Sequence, residues 1–274
     1  MIVFPNAKIN LGLNVVRRRD DGYHEIESVM VPVPLTDALE AVVAPELGSG
    51  QVAYTRSGLE VPGPTDGDLC MKALDLLRER NELPGLRVHL HKVIPMGAGL
   101  GGGSSDGAHM LLLLNDLLQL GHSKAELAEM AATLGSDCPF FLEPGPQLAL
   151  GRGELLSPIS LDLSGLWLTL VNPGIHVPTP LVYKHTVPTG HRLGLEQVLA
   201  AQPIARWQDL VPNTMERYVF EAFPEVERIR TQLKERGALY SAMSGSGSTV
   251  FGLFMEDPGP MELRPGWAGW TFRL

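Results

Sequence analysis

Residues 95–109 read PMGAGLGGGSSDGAH, and five of the seven positions from 97 to 103 are glycine. Glycine has no Cβ and tolerates positive φ, so a run this dense lets successive backbone N–H groups converge on one small anion. Ahead of it, residues 86–94 (LRVHLHKVI) alternate apolar and polar side chains as a strand does. Behind it, residues 104–120 (SSDGAHMLLLLNDLLQL) are apolar nearly all round, the pattern of a buried helix. Strand, glycine loop and helix in that order place the unpaired N–H groups and positive dipole end of the helix beside the loop. The sequence therefore predicts a site for a di- or triphosphate at this turn. A plain surface turn would need only one or two glycines at fixed positions.

Two familiar phosphate motifs can be tested by spacing. The Walker pattern G-x-x-x-x-G-K-[ST], counted from Gly97, puts its lysine at Gly103, so no ammonium follows the loop. Gly97, Gly99 and Gly102 match the dinucleotide fingerprint G-x-G-x-x-G formally. The acidic residue that fingerprint needs after a second strand is missing, because Asp116 lies inside the expected helix.

A chain of 274 residues is long enough for a substantial core and is read as two domains. With 44% hydrophobic and 19% charged residues it lacks the signature of disorder. Its net charge of −9 argues against nucleic acid or an anionic membrane as partner, and a monomer or weak homodimer is expected. Cys70 and Cys138 are too few for a disulfide framework and lack the spacing of a zinc or redox site, which fits a reducing cytoplasm. Cys138 has no identifiable base and is read as a buried spectator. Residues 1–16 carry no basic leading region, so a targeting signal is not expected and a bacterial cytoplasm is favoured over a plastid precursor.

Along the chain, residues 2–16 alternate, with Ile9, Leu11, Leu13 and Val15 on one face and Lys8, Asn10, Gly12 and Asn14 on the other. By spacing alone the second face is the solvated side of a half-buried strand. A polar turn, RRRDDG, leads through Tyr23 and His24 to a second alternating run at 26–33. Residues 36–65 are read as peripheral sheet and loop, and a helix is predicted over 68–80. Ser123 and Glu126 form a capping box for a helix stopped by Gly135. Asp137, in GSDCPFFL, reads equally as an N-cap or as a functional carboxylate. Later, 166–171 reads as a strand, NPGIHVPTPLVYK as an ordered loop broken by prolines, and 224–236 as an amphipathic helix. Two strands at 239–243 and 249–254 flank the glycine-rich turn SGSGS, whose bland reading is a flexible hairpin.

Three separated segments, AKINLGLNVVRRRDDGYHEI, PMGAGLGGGSSDGA and MSGSGSTVFGLF, together resemble the three motifs of the GHMP kinases. GSDCPFF and PGIHVPTP strengthen the resemblance, which runs patchily from about residue 3 to 254. It implies a two-domain α+β fold, with a ribosomal-protein-S5-domain-2-like nucleotide-binding domain over residues 1–150. A ferredoxin-like domain over 151–274 would complete the substrate pocket. The Ala-Lys-Ile-Asn-Leu and Asp-Gly-Tyr-His segments point to the branch of that family in the non-mevalonate isoprenoid pathway. That branch phosphorylates the 2-hydroxyl of 4-diphosphocytidyl-2-C-methyl-D-erythritol with ATP, and Mg2+ is expected with the nucleotide.

Residue by residue, the resemblance implies Lys8 and Asp137 as the catalytic pair, the aspartate accepting the hydroxyl proton and the lysine stabilising developing negative charge. Tyr23 and His24 would sit at the cytidine end and Asn10 near the erythritol hydroxyls, with Thr179, Pro180 and Tyr183 completing the pocket. Pro95, Met96, Gly97, Ala98, Gly99, Leu100, Gly101, Gly102, Gly103, Ser104 and Ser105 would wrap the ATP phosphates, with Lys92 near the nucleotide. No carboxylate cluster marks magnesium ligands, so the ion would be held largely by phosphate and water. Asp68 stands where the family has asparagine near adenine. The rivals are a GHMP kinase for mevalonate or homoserine, a non-catalytic nucleotide-binding regulator, and a dinucleotide oxidoreductase.

Overall fold

The computed structural model describes residues 1–274, which form two compact units built from interleaved stretches of chain. The first unit comprises Met1–Ala7, Leu35–Met96 and Gly101–Pro144. Its four-stranded sheet runs in the order Ile2–Val3, Ala38–Val43, Leu86–Lys92, Val52–Gly58, the last pair parallel and the others antiparallel. The alternation of LRVHLHK turns Leu86, Val88, Leu90 and Lys92 to the buried face and Arg87 and His91 to solvent. Helices Leu69–Arg78, Gly102–Leu117 and Lys124–Leu134 pack on one another, burying Leu74, Leu77, Leu111 and Leu114. Ser123 and Glu126 make both bonds of the expected capping box, and Gly135 follows the helix.

The second unit comprises Lys8–Pro34, Gly97–Leu100 and Gly145–Leu274. One sheet orders its strands Asn6–Arg18, His24–Thr36, Gln147–Gly151, Leu155–Pro158. The other is antiparallel, in the order Tyr240–Met243, Val250–Phe254, Trp167–Asn172, Ala268–Arg273. Helix Pro224–Glu235 lays Val226, Ile229 and Leu233 against Val171, Met243, Val250 and Phe254. The expected α+β architecture is present, with helices packed beside sheets that are antiparallel except for the pair Val52–Gly58 and Leu86–Lys92.

Three sequence expectations are corrected. Strand Asn6–Arg18 is buried on both faces, so Lys8, Asn10 and Asn14 are interior and not the solvated side of a half-buried strand. The proline-broken segment contains a helix, Thr179–His185, because Pro180 falls in its first turn, where a missing N–H costs nothing. The C-terminal stretch supplies an edge strand, Ala268–Arg273, that the sequence reading did not contain.

Candidate active site

Gly97, Gly99 and Gly101 all take positive φ, at 62°, 77° and 70°. Steric demand is greatest at Gly99, where a Cβ would lie 2.0 Å from the carbonyl oxygen of Ser244. That closeness follows from the bonds holding the crest of the loop within the second unit. Ser244 Oγ donates to Gly99 O at 2.8 Å, Thr249 N to Ala98 O at 3.2 Å, and Lys8 N to Leu100 O at 2.9 Å. The His176 ring lies against Gly97, with Nδ1 3.0 Å from where a Cβ would stand. Helix Gly102–Leu117 then begins in the first unit, and no side chain caps its first N–H groups.

The lysine of the first motif is held by a polar relay inside the second unit. Lys8 is 3% exposed, and its Nζ donates to Asn10 Oδ1 at 2.5 Å. Asn10 Nδ2 donates to Ser28 Oγ at 2.8 Å, and Ser28 Oγ to Gly12 O at 2.6 Å. Each acceptor is consumed in turn, which fixes the asparagine amide and aims the ammonium. The SGSGS turn is not the flexible hairpin of the bland reading. Ser244 and Ser248 are fully buried, and Asn213 Nδ2 donates to the carbonyls of Met243 and Gly245, both at 2.8 Å. Ser28, His176 and Asn213 were missed by sequence reasoning. Only His176, inside PGIHVPTP, carried a local signal.

Tyr23, His24, Thr179, Pro180 and Tyr183 also lie in the second unit. His24 stacks on Tyr183 with ring centroids 5.0 Å apart, and Arg152 sits 4.8 Å over the ring of Tyr23, which is 56% exposed. Partial burial, aided by the charge of Arg18, lowers the His24 pKa and keeps the ring neutral near pH 7. A neutral imidazole both donates and accepts, as reading the edge of a pyrimidine requires. Thr179 Oγ1 and Ser246 Oγ share a hydrogen bond of 2.7 Å, tying the start of helix Thr179–His185 to the glycine turn.

The remaining residues lie in the first unit. Asp137 precedes the short 3-10 turn Cys138–Leu142, yet its side chain makes no capping bond there, so of the two sequence readings the N-cap is not realised. Burial pushes the Cys138 thiol up to about 11, with the Ser104 hydrogen bond opposing and the Asp137 charge adding, so this cysteine stays a protonated spectator. A cavity of about 170 Å³ is lined by Val61, Pro62, Asp68, Leu69, Met96 and Gly103. Asp68 Oδ2 accepts from Tyr54 Oη at 2.9 Å and from Arg56 Nη1 at 3.2 Å. The Lys92 side chain has no exposed surface; its ammonium is held by Asp37 and Asp106.

No group of three or more His, Cys, Asp or Glu side chains is arranged to hold a metal ion, so the donor set does not fit a resident metal. No helix is long and apolar enough to cross a membrane.

Known proteins resemble this chain over most of its length. The model of the GHMP kinases N terminal domain matches residues 68–145, and that of the GHMP kinases C terminal matches 196–262. The chain is 47% identical to a 4-diphosphocytidyl-2-C-methyl-D-erythritol kinase of Parabacteroides distasonis, over 94% of this chain and 93% of that one. It is 46% identical to the Cytophaga hutchinsonii protein of the same name, over 94% of each. A crystal structure of 4-(cytidine 5'-diphospho)-2C-methyl-D-erythritol kinase superposes with a TM-score of 0.78 at 38% identity, covering 92% of this chain and 90% of that one. Mevalonate kinase of Methanococcus jannaschii shares the fold at 14% identity and a TM-score of 0.72, covering 93% and 90%.

Proposed function

We propose, from the premise that this chain belongs to the GHMP kinase family and to its 4-diphosphocytidyl-2-C-methyl-D-erythritol kinase branch, that it transfers the γ-phosphoryl group of ATP to the 2-hydroxyl of 4-diphosphocytidyl-2-C-methyl-D-erythritol. The observation that carries the choice of substrate is the neutral His24 ring stacked on Tyr183, with Tyr23 and its overlying Arg152 beside it. An aromatic platform with a ring that donates and accepts suits a cytosine, and the small acids and alcohols taken by mevalonate or homoserine kinases have no use for one.

In this reading, residues 95–105 cradle the phosphates through backbone N–H groups and the helix dipole. The purine enters the cavity beside Asp68, whose carboxylate replaces the family's asparagine as an acceptor for the exocyclic amine. Asn10, oriented by Ser28, holds the erythritol hydroxyls. Asp137 takes the proton of the 2-hydroxyl, and Lys8 stabilises the negative charge that develops as the phosphoryl is transferred. The transition state is loose, so positioning and charge stabilisation outweigh the strength of the base. Mg2+ would arrive with the phosphates of ATP, held by phosphate oxygens and water rather than by a carboxylate cluster. We place the enzyme in the bacterial cytoplasm, as a monomer or weak homodimer.

A coupled assay of ADP release tests the reading. Addition of CDP-methylerythritol is expected to stimulate release, whereas mevalonate and homoserine are not; folded protein that shows no stimulation ends the assignment. His24→Ala is expected to raise KM for the CDP-linked substrate about tenfold, the equivalent of one lost stacking and edge contact, with KM for ATP unchanged. Equal KM values for the acceptor in both proteins would remove His24 from the pocket.

A further inference from the structure

We propose that Lys92, Asp37 and Asp106 set the phosphate loop by tying its two flanks together, and that Lys92 acts on the nucleotide only through this tie. The inference rests on the reading of residues 95–105 as a phosphate loop. It departs from the expectation that Lys92 lies against ATP.

The bonding within the first unit is specific. Lys92 Nζ donates to Asp37 Oδ2 and, at 2.7 Å, to Asp106 Oδ2. Asp37 Oδ1 accepts from the backbone N–H of Val93 at 2.6 Å and of Ile94 at 2.9 Å, the two residues that lead into the loop. Asp106 lies in helix Gly102–Leu117, which leads out of it. Three fully or almost fully buried ionisable groups thus join the end of strand Leu86–Lys92 to the start of that helix. Nζ also lies 3.3 Å from the position a Cβ would take on Gly102, so the ammonium fills the space beneath the first residue of the helix. Buried ion pairs contribute little net stability but hold groups in one arrangement when their other hydrogen bonds are made, which suits a device for position.

The charges also leave a remainder. One ammonium faces two carboxylates, and Asp106 Oδ1 is buried with no hydrogen-bond partner. Burial raises the Asp106 pKa to about 8, Asp37 adding to the rise while Lys92 opposes it. Burial works against the Lys92 charge, yet the two carboxylates raise its pKa. The groups facing Asp106 are Lys92 and Asp37 and, on helix Leu69–Arg78, Cys70, whose thiol burial keeps protonated; Asp68 lines the same cavity. Below about pH 8 Asp106 keeps its proton and the three groups sum to zero. Above it they carry a net negative charge at the base of a loop that must hold a polyanion, so ATP binding weakens as pH rises.

Calorimetric titration of the intact chain with ATP between pH 6 and 9, with melting curves for each variant, tests the tie without relying on turnover. Asp37→Asn replaces an acceptor of the ammonium by a donor, and Asp37 reaches the loop only through backbone N–H groups and Lys92. It is expected to raise the Kd for ATP at least about tenfold, as Lys92→Met does. Asp106→Asn keeps the shape and is expected to bind ATP nearly as wild type at pH 7, while abolishing a weakening of about threefold or more between pH 7 and 9. If Asp37→Asn binds ATP like wild type while Lys92→Met does not, Lys92 contacts the nucleotide directly and the proposal falls. Should Lys92→Met fail to fold, an unchanged Kd in Asp37→Asn, or the same pH dependence in Asp106→Asn and wild type, overturns it equally. Wild type that binds ATP but turns over no CDP-linked alcohol would sink the functional reading and leave the tie standing; wild type that binds no ATP sinks both.

Discussion

Asp137→Asn is expected to lower kcat by roughly a thousandfold, the middle of the range for removing a general base, while leaving the Kd for ATP within about twofold. The amide keeps the volume and the polar character of the side chain, so the short turn Cys138–Leu142 behind it has no reason to move. What it loses is the capacity to accept the proton of a hydroxyl as the oxygen attacks phosphorus. Equilibrium binding of ATP and of the CDP-linked alcohol, measured beside single-turnover rates, separates this from a folding defect. A single-turnover rate within threefold of wild type would show that Asp137 does not take the proton. The Cys138 thiol next to it offers no substitute, since it remains protonated at neutral pH.

The second large effect is expected from the smallest substitution. Gly99→Ala puts a methyl carbon 2.0 Å from Ser244 O and 2.9 Å from its carbonyl carbon, at a φ of 77° that a side chain resists. Neither neighbour is the free end of a flexible side chain. Ser244 is buried, its Oγ bonds Gly99 O, and Asn213 clamps the carbonyls on either side of it. The loop crest must therefore move, and a displacement of about 1 Å at a phosphate site costs roughly a hundredfold in kcat/KM for ATP. Strain of this kind also costs on the order of 1–3 kcal/mol of stability, visible as a lowered Tm. A variant with wild-type KM for ATP and an unchanged Tm would mean that the crest is pliable.

Much of this was legible in the residues, and the limits have physical causes. The glycine loop, the flanking strand and helix and the Ser123–Glu126 capping box are local devices whose residue types state their geometry. The interior position of Lys8 and Asn10 was not legible, because alternation tells which residues share a face but not what covers it. Helix Thr179–His185 was hidden by counting prolines as breakers without asking where in a first turn each would fall. Lys92 is the instructive case. LRVHLHK puts it in phase with Leu86, Val88 and Leu90, so the alternation carried a signal for a buried ammonium that the expected nucleotide contact passed over. Its partner Asp37 lies 55 positions away, and no local rule pairs them. The clamp of Asn213 on the second glycine turn was beyond reach for the same reason.

The proposed reaction transfers a phosphoryl group to one hydroxyl of a CDP-linked sugar alcohol. Phosphorus NMR of the product, formed from ATP and CDP-methylerythritol by the purified chain, tests it most directly. The 2-hydroxyl is borne by a carbon without hydrogen, so the account expects one new phosphomonoester resonance per ADP released, appearing as a singlet with no coupling to a carbinol proton, while the diphosphate signals of the substrate persist. A coupled multiplet would place the phosphoryl on another hydroxyl, and ADP accumulating with inorganic phosphate and no new ester would contradict the account altogether.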